Sequence, residues 1–223
     1  MSGDELKYFS PWDEVARSRN HLPHWQQSGA TYFVTWRLED SLPTEMLAQF
    51  REDRQLWMDQ HPEPWTPADE AEYHQLFSAR IDEWLDAGHG ECLLSKLANA
   101  EFVMEGLQFF EGERTRLVSA VVMPNHVHVL FGLSPEWKLE QLVHSWKRQS
   151  AKKVNALEGR RGRLWQKDYF DRLIRDQKHF ENCVRYIRRN PEKARLSEGE
   201  YLLFESDPAK QVPSRSGGFQ PPG

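Results

Sequence analysis

The stretch TRLVSAVVMPNHVHVLFG, residues 115–132, constrains the fold more than any other part of the chain. Thr115–Val122 and residues 126–132 read as strands, and Pro124-Asn125 leaves only a tight connection between them. A strand sends alternate side chains to opposite faces, so His126 and His128 point one way and Val127 and Val129 the other. Two imidazoles converging from a rigid strand supply two-thirds of a metal site. They would equally suit a solvent-facing sheet surface that carries histidine, so a third ligand has to be found.

The rest of the chain supplies partners for this hairpin. Residues 31–38, TYFVTWRL, are β-branched and aromatic and form a further strand. Residues 1–30 read as an irregular arm. Residues 44–60 and 66–87 read as two helices of an insertion spanning about 44–90, the second capped by Thr66, led by Pro67 and stopped by Gly88. Its apolar positions are Leu76, Phe77, Ile81, Trp84 and Leu85, and acidic residues dominate the remainder. Helices follow at 93–110 and Leu139–Leu157, residues 164–174 are partly extended, and Asp176 caps a last helix over 177–190, stopped by Pro191.

Without the insertion the order is strand, helix, strand, strand, helix, strand, helix. That predicts an α+β fold of the ferredoxin-like split βαβ kind, an antiparallel sheet with helices on one face. The histidine strand is then central, with Val127 and Val129 packed on the helices and the histidines opening onto a free face. Residues 1–204 are expected to form one domain, and 205–223 a disordered tail ending in GGFQPPG.

The net charge of −5 conceals a division. Residues 145–195 hold 16 Lys and Arg against 6 Asp and Glu, and the rest of the chain 13 against 28. The basic part also carries Trp146, Trp165, Tyr169, Phe170 and Tyr186. Cations interleaved with aromatics suit single-stranded nucleic acid, with charge for phosphates and rings for bases. Two cysteines without zinc-finger spacing argue against a disulfide framework and a structural zinc. The sequence shows no signal peptide and no apolar run of about 20 residues, so a cytoplasmic, nucleoid-associated protein without a membrane partner is expected.

The last helix, QKHFENCVRYIRRNP, is where a third ligand would come from. Its packing stripe is Phe180, Cys183, Val184 and Ile187, and Tyr186 and Asn190 share one edge, four residues apart. An Asn carbonyl suits Mg²⁺ or Mn²⁺ beside two imidazoles, and a Tyr offers a nucleophilic oxygen. A half-buried packing Tyr and an ordinary Asn before proline fit the same letters.

PNHVHV resembles the histidine–hydrophobic–histidine motif of single-tyrosine (HUH) transposases. HSWK, LWQKDYFDRLIRD and YIRRNPEKA, downstream, resemble the REP-associated tyrosine transposase branch. The likeness covers residues 31–38 and 114–196. It implies a metal-dependent DNA strand transferase, an endonuclease of DNA transposition and recombination, acting on single-stranded or hairpin DNA. On this resemblance His126, His128 and Asn190 hold a divalent cation, Mg²⁺ or Mn²⁺, and Tyr186 is the nucleophile that forms a 5′-phosphotyrosine link. Lys147, Arg148, Lys152, Lys153, Arg172 and Arg175 are candidate phosphate contacts, and Trp165 a candidate base stack. A monomer acting in cis is favoured over a homodimer. A domesticated DNA-binding protein that does not cut, a hydrolytic metal-dependent nuclease and an interaction module built on the acidic insertion are the alternatives.

Overall fold

The computed structural model describes residues 6–19, 23–62 and 65–214. Five strands form the main sheet: β3 (Thr31–Arg37), β4 (Thr115–Val122), β5 (His126–Leu133), β6 (Phe170–Leu173) and β7 (Leu202–Glu205). Their order is β6-β3-β5-β4-β7, and every neighbouring pair is antiparallel. The expected split βαβ core is therefore present, with β5 central and β7 added beside β4.

The alternation along β5 organises both sides of the sheet. Val127, Val129 and Phe131 enter a core with Tyr32, Val34 and Trp36 of β3, closed by α4 (Leu97–Gln108) and α5 (Leu139–Leu157). Leu139, Leu142, Val143, Trp146 and Val154 form the buried stripe of α5, and Trp146 stacks on Trp36 with ring centroids 5.9 Å apart.

The opposite face is covered too, which corrects the expectation of helices on one face only. The helix α6 (Gln177–Lys193) lays Phe180, Cys183, Val184 and Ile187 against Phe33, Val118, Val121 and Leu130. A sheet face this apolar cannot stay in water, and an amphipathic helix is the means of burying it. Asp176 starts α6 by accepting the His179 backbone N–H at 2.7 Å. Pro191 does not stop it. The helix runs on to Lys193, and the Ala194 N–H reaches the Asn190 carbonyl at 3.0 Å, so the proline sits in the last turn.

The insertion comprises α1 (Thr44–Gln60), α2 (Pro67–Tyr73), a π-helical turn His74–Ser78 and α3 (Ala79–Asp86). Thr66 and Asp69 cap α2 reciprocally, as the sequence predicts. Leu42, Phe50, Trp57, Tyr73, Phe77, Ile81 and Leu85 give the insertion a small core of its own, with Phe170 of β6 packed against it.

The described residues near both ends hold more regular structure than expected. β1 (Ala16–Arg19) and β2 (Pro23–Gln26) pair within the supposed irregular arm. Past β7, α7 (Asp207–Lys210) follows, and Ala209 and Val212 join the core beneath α6. The rest of the predicted tail, residues 215–223, lies outside the described residues. No helix among the described residues is long and apolar enough to cross a membrane.

Candidate active site

His126 and His128 sit side by side on β5, each 1% exposed, on the face that α6 covers. Asn125 fixes the first of them. Its Nδ2 donates to the carbonyls of Leu85 and His89, at 3.1 and 3.3 Å, so its Oδ1 is the atom that faces His126 Nδ1 at 2.7 Å. Nδ1 of His126 therefore carries the proton, and Nε2 keeps its lone pair. His128 Nδ1 lies 2.7 Å from Thr35 Oγ1, its partner across the β3–β5 ladder. The two Nε2 atoms are 3.0 Å apart. One proton must lie between them, so His128 donates it, and the Thr35 hydroxyl donates to His128 Nδ1. Turning that hydroxyl to accept would free the second Nε2 as well.

Burial keeps both imidazoles neutral. It pushes His126 down to about 3, against the opposing effect of the Asn190 carboxamide, and His128 well below its ordinary value.

Asn190 and Tyr186 arrive from α6, one turn apart, at 0% and 2% exposure. The Tyr186 ring stands edge-on to His128, with centroids 5.1 Å apart, and to Phe33 at 5.7 Å, while Phe33 stacks on His128 at 5.5 Å. The amide of Asn190 is buried beside His126, on which it acts by hydrogen bonding, but neither Oδ1 nor Nδ2 has a partner of good geometry. Leaving such a group unmatched costs on the order of 1–3 kcal/mol. A cation bridging Asn190 and the histidines would remove that cost.

The donor set fits a divalent cation on distance as well. Two bonds of about 2.1 Å meeting at a right angle end about 3.0 Å apart, which is the separation of the two Nε2 atoms. Among the described residues no group of three or more His, Cys, Asp or Glu side chains could hold a metal ion.

The family model "Transposase IS200 like" matches residues 106–190. Over those residues the chain is similar to IS200-like transposases. The match runs from within α4 to Asn190, taking in both histidines and Tyr186 and leaving out β3 and the insertion. Among solved structures, the chain is similar to a REP-associated tyrosine transposase bound to a REP hairpin, at 16% identity over 78% of this chain and 74% of that one, with a TM-score of 0.39. It is also similar to a candidate transposase from Deinococcus radiodurans R1, at 13% identity over 83% and 98%, with a TM-score of 0.31. No curated protein matches the chain.

Around this site the predicted DNA contacts separate into groups. Arg148, Lys152 and Lys153 are exposed on α5, with Lys153 paired to Glu105 at 2.7 Å, and Arg175 is exposed before α6. Lys147 turns inward, against expectation. Its ammonium donates to the carbonyls of Gln166, Lys167 and Asp168 at 2.5, 2.9 and 3.2 Å, and burial pushes it down to about 8. Trp165 is a core residue and not a stacking platform. It is 3% exposed, donates from Nε1 to Ser150 Oγ at 3.0 Å, and meets Trp36 edge-on. Arg172 alone of these candidates faces the site: it lies opposite Phe33 in the β3–β6 register, and its charge acts on Tyr186.

Sequence reasoning missed the acidic side of the site. Asp82 of α3 hydrogen-bonds the Tyr186 phenol. Burial, then the Asp82 charge and hydrogen bond, hold that phenol well above its ordinary value, with Arg172 opposing. Burial in turn pushes Asp82 up to about 6, against the hydrogen bond from Tyr186 and the charges of Arg172 and Lys193. Asp86, one turn on, pairs with Lys193 at 2.7 Å. Thr35 and Asn125 were also missed, although strand pairing and adjacency to His126 mark both.

Proposed function

We propose that this chain is a metal-dependent single-tyrosine transposase that cleaves and rejoins single-stranded or hairpin DNA. The observation that carries the reading is the convergence of His126, His128, Asn190 and Tyr186, from β5 and α6, into one buried cluster of a single chain. The nucleophile lies beside the histidines of its own chain, so the reading is of a monomer acting in cis.

The reaction is transesterification. The Tyr186 oxygen bonds to phosphorus, the bond from phosphorus to the 3′-oxygen breaks, and the strand leaves as a 3′-OH with the 5′ end on the tyrosine. A 3′-OH attacking the phosphotyrosine reverses the sequence, so one phosphodiester is exchanged for another and no nucleotide cofactor is required. His126, His128 and Asn190 would hold a divalent cation, which when bound supplies charge neutralisation at a non-bridging phosphate oxygen. Asn125 and Thr35 orient the imidazoles by their Nδ1 atoms. Arg172 supplies a cation toward the phosphate, and the exposed Arg148, Lys152 and Arg175 contact the flanking backbone.

The test is denaturing electrophoresis of the protein with labelled single-stranded hairpin DNA, with Mn²⁺ and with EDTA. A covalent protein–DNA adduct that needs the metal is expected. Cleavage without an adduct would replace the reading by a hydrolytic nuclease, and binding without cleavage by a domesticated DNA-binding protein.

A further inference from the structure

Every group of the proposed reaction is shut away from a substrate. His126, His128, Asn190 and Tyr186 are each no more than 2% exposed, although a DNA phosphate must touch Tyr186 and lie beside the histidines. The histidine face lies under α6, and the Tyr186 and Lys193 end of the site is covered by α3. That helix carries Asp82 onto the Tyr186 phenol and Asp86 onto Lys193 at 2.7 Å, and Asn125 holds its C-terminal end by the Leu85 carbonyl at 3.1 Å. The two carboxylates thus face the cations, Arg172 and Lys193, that a phosphate in this site would use.

We propose that the helical insertion, residues 44–90, is an autoinhibitory lid whose Asp82 and Asp86 take the place of the DNA phosphate and which the substrate lifts away. This rests on the transposase reading for the identity of the displacing ligand.

Three features suit the insertion to leaving. It has an aromatic core of its own, distinct from the main core of the sheet, with Phe170 of β6 packed against it. Its contact with β3 is incomplete: a partly open cavity of about 80 Å³ is lined by Ile81 and Leu85 together with Thr35 and Arg37, so fewer dispersion contacts hold the two together there. Finally, the closed state holds the half-buried Asp82 carboxylate partly out of water, a cost that opening relieves. An arriving phosphate adds like charge against Asp82 and Asp86 and competes for their cations, so binding favours the open state by its own chemistry.

The alternative role for Asp82 is proton acceptor for Tyr186 during attack. That role predicts no change in histidine labelling on Asp86→Lys, whereas the lid predicts a rise.

The test uses the full chain and a charge swap. Asp86→Lys sets two ammonium groups against each other and should open the lid, and Asp86→Lys with Lys193→Asp should close it again. One readout is diethyl pyrocarbonate labelling of His126 and His128, which needs no DNA. The other is the initial rate of adduct formation on hairpin DNA with Mn²⁺. The lid account expects both to rise about tenfold or more in Asp86→Lys, as for loss of roughly 1.4 kcal/mol of closure, and to fall back in the swap. Unchanged labelling, or a slower adduct with unchanged labelling, overturns the lid. Labelling that rises and falls as expected, with no adduct from any form, supports a lid over the histidines and overturns the transposase reading instead.

Discussion

Asn125 Oδ1 accepts the Nδ1 proton of His126 at 2.7 Å while the same carboxamide donates from Nδ2 to the carbonyl of Leu85 at 3.1 Å. One side chain thus sets the tautomer of a proposed ligand and ties down the end of α3. Replacing Asn125 by Ala removes both functions. Mn²⁺ affinity measured by calorimetry should fall about 10- to 100-fold, the usual cost of losing a partner that orients a ligand. Unchanged affinity would mean that His126 does not bind the ion.

Asn190 is a liability to the fold unless something matches its buried amide. Asn190→Leu, of similar size, removes the unmatched amide and should raise the melting temperature in EDTA, by a gain of about 1–3 kcal/mol. In the same variant the stabilisation that Mn²⁺ gives the natural protein should disappear. Calorimetric melts with and without the ion check both.

Asp82 makes closure depend on pH. Its ionisation is pushed up to about 6 by burial, against hydrogen bonding from Tyr186 and the charges of Arg172 and Lys193, with Asp86 adding to the rise. The folded state therefore holds the proton more tightly than the unfolded one. Its contribution to stability is full below the ordinary carboxylate value and is lost as pH climbs to about 6. Asp82→Asn mimics the protonated form, so its advantage in melting temperature over the natural protein should grow between pH 4 and 6 and level off above. A difference that is flat across that range would contradict the assignment.

Lys147 and Arg148 are neighbours in sequence with different tasks. Lys147 anchors three carbonyls of residues 166–168, so Lys147→Ala should lower stability by about 1–3 kcal/mol. Arg148 is exposed, so Arg148→Ala should leave stability unchanged and reduce the salt slope of hairpin binding by about 1. Melts and binding isotherms at several salt concentrations separate the two.

The strands, the histidine face and the pairing of Tyr186 with Asn190 were legible because each follows from a short period, two in a strand and four along a helix. Pro191 misled: it withholds the N–H that would bond the Ile187 carbonyl, yet the helix continues for two residues and the Ala194 N–H closes on the Asn190 carbonyl. The free face predicted for His126 and His128 failed for a different reason. The stripe of α6 fixes that the helix must be buried, not which side of the sheet it takes. The meeting of Asp82 with Tyr186 joins residues about a hundred positions apart, across an insertion whose acidic surface reads as solvated. Nothing local distinguishes Asp82 from the other acids of that helix.

The central claim is that Tyr186 itself carries the cleaved strand. Its most direct test is to form the adduct with Mn²⁺, digest the protein, and locate the nucleotide-bearing peptide by mass spectrometry, alongside Tyr186→Phe. The account predicts a 5′-phosphonucleotide on Tyr186 and no adduct from Tyr186→Phe, with hairpin binding retained. A nucleotide on any other residue, or an adduct that survives Tyr186→Phe, would contradict it.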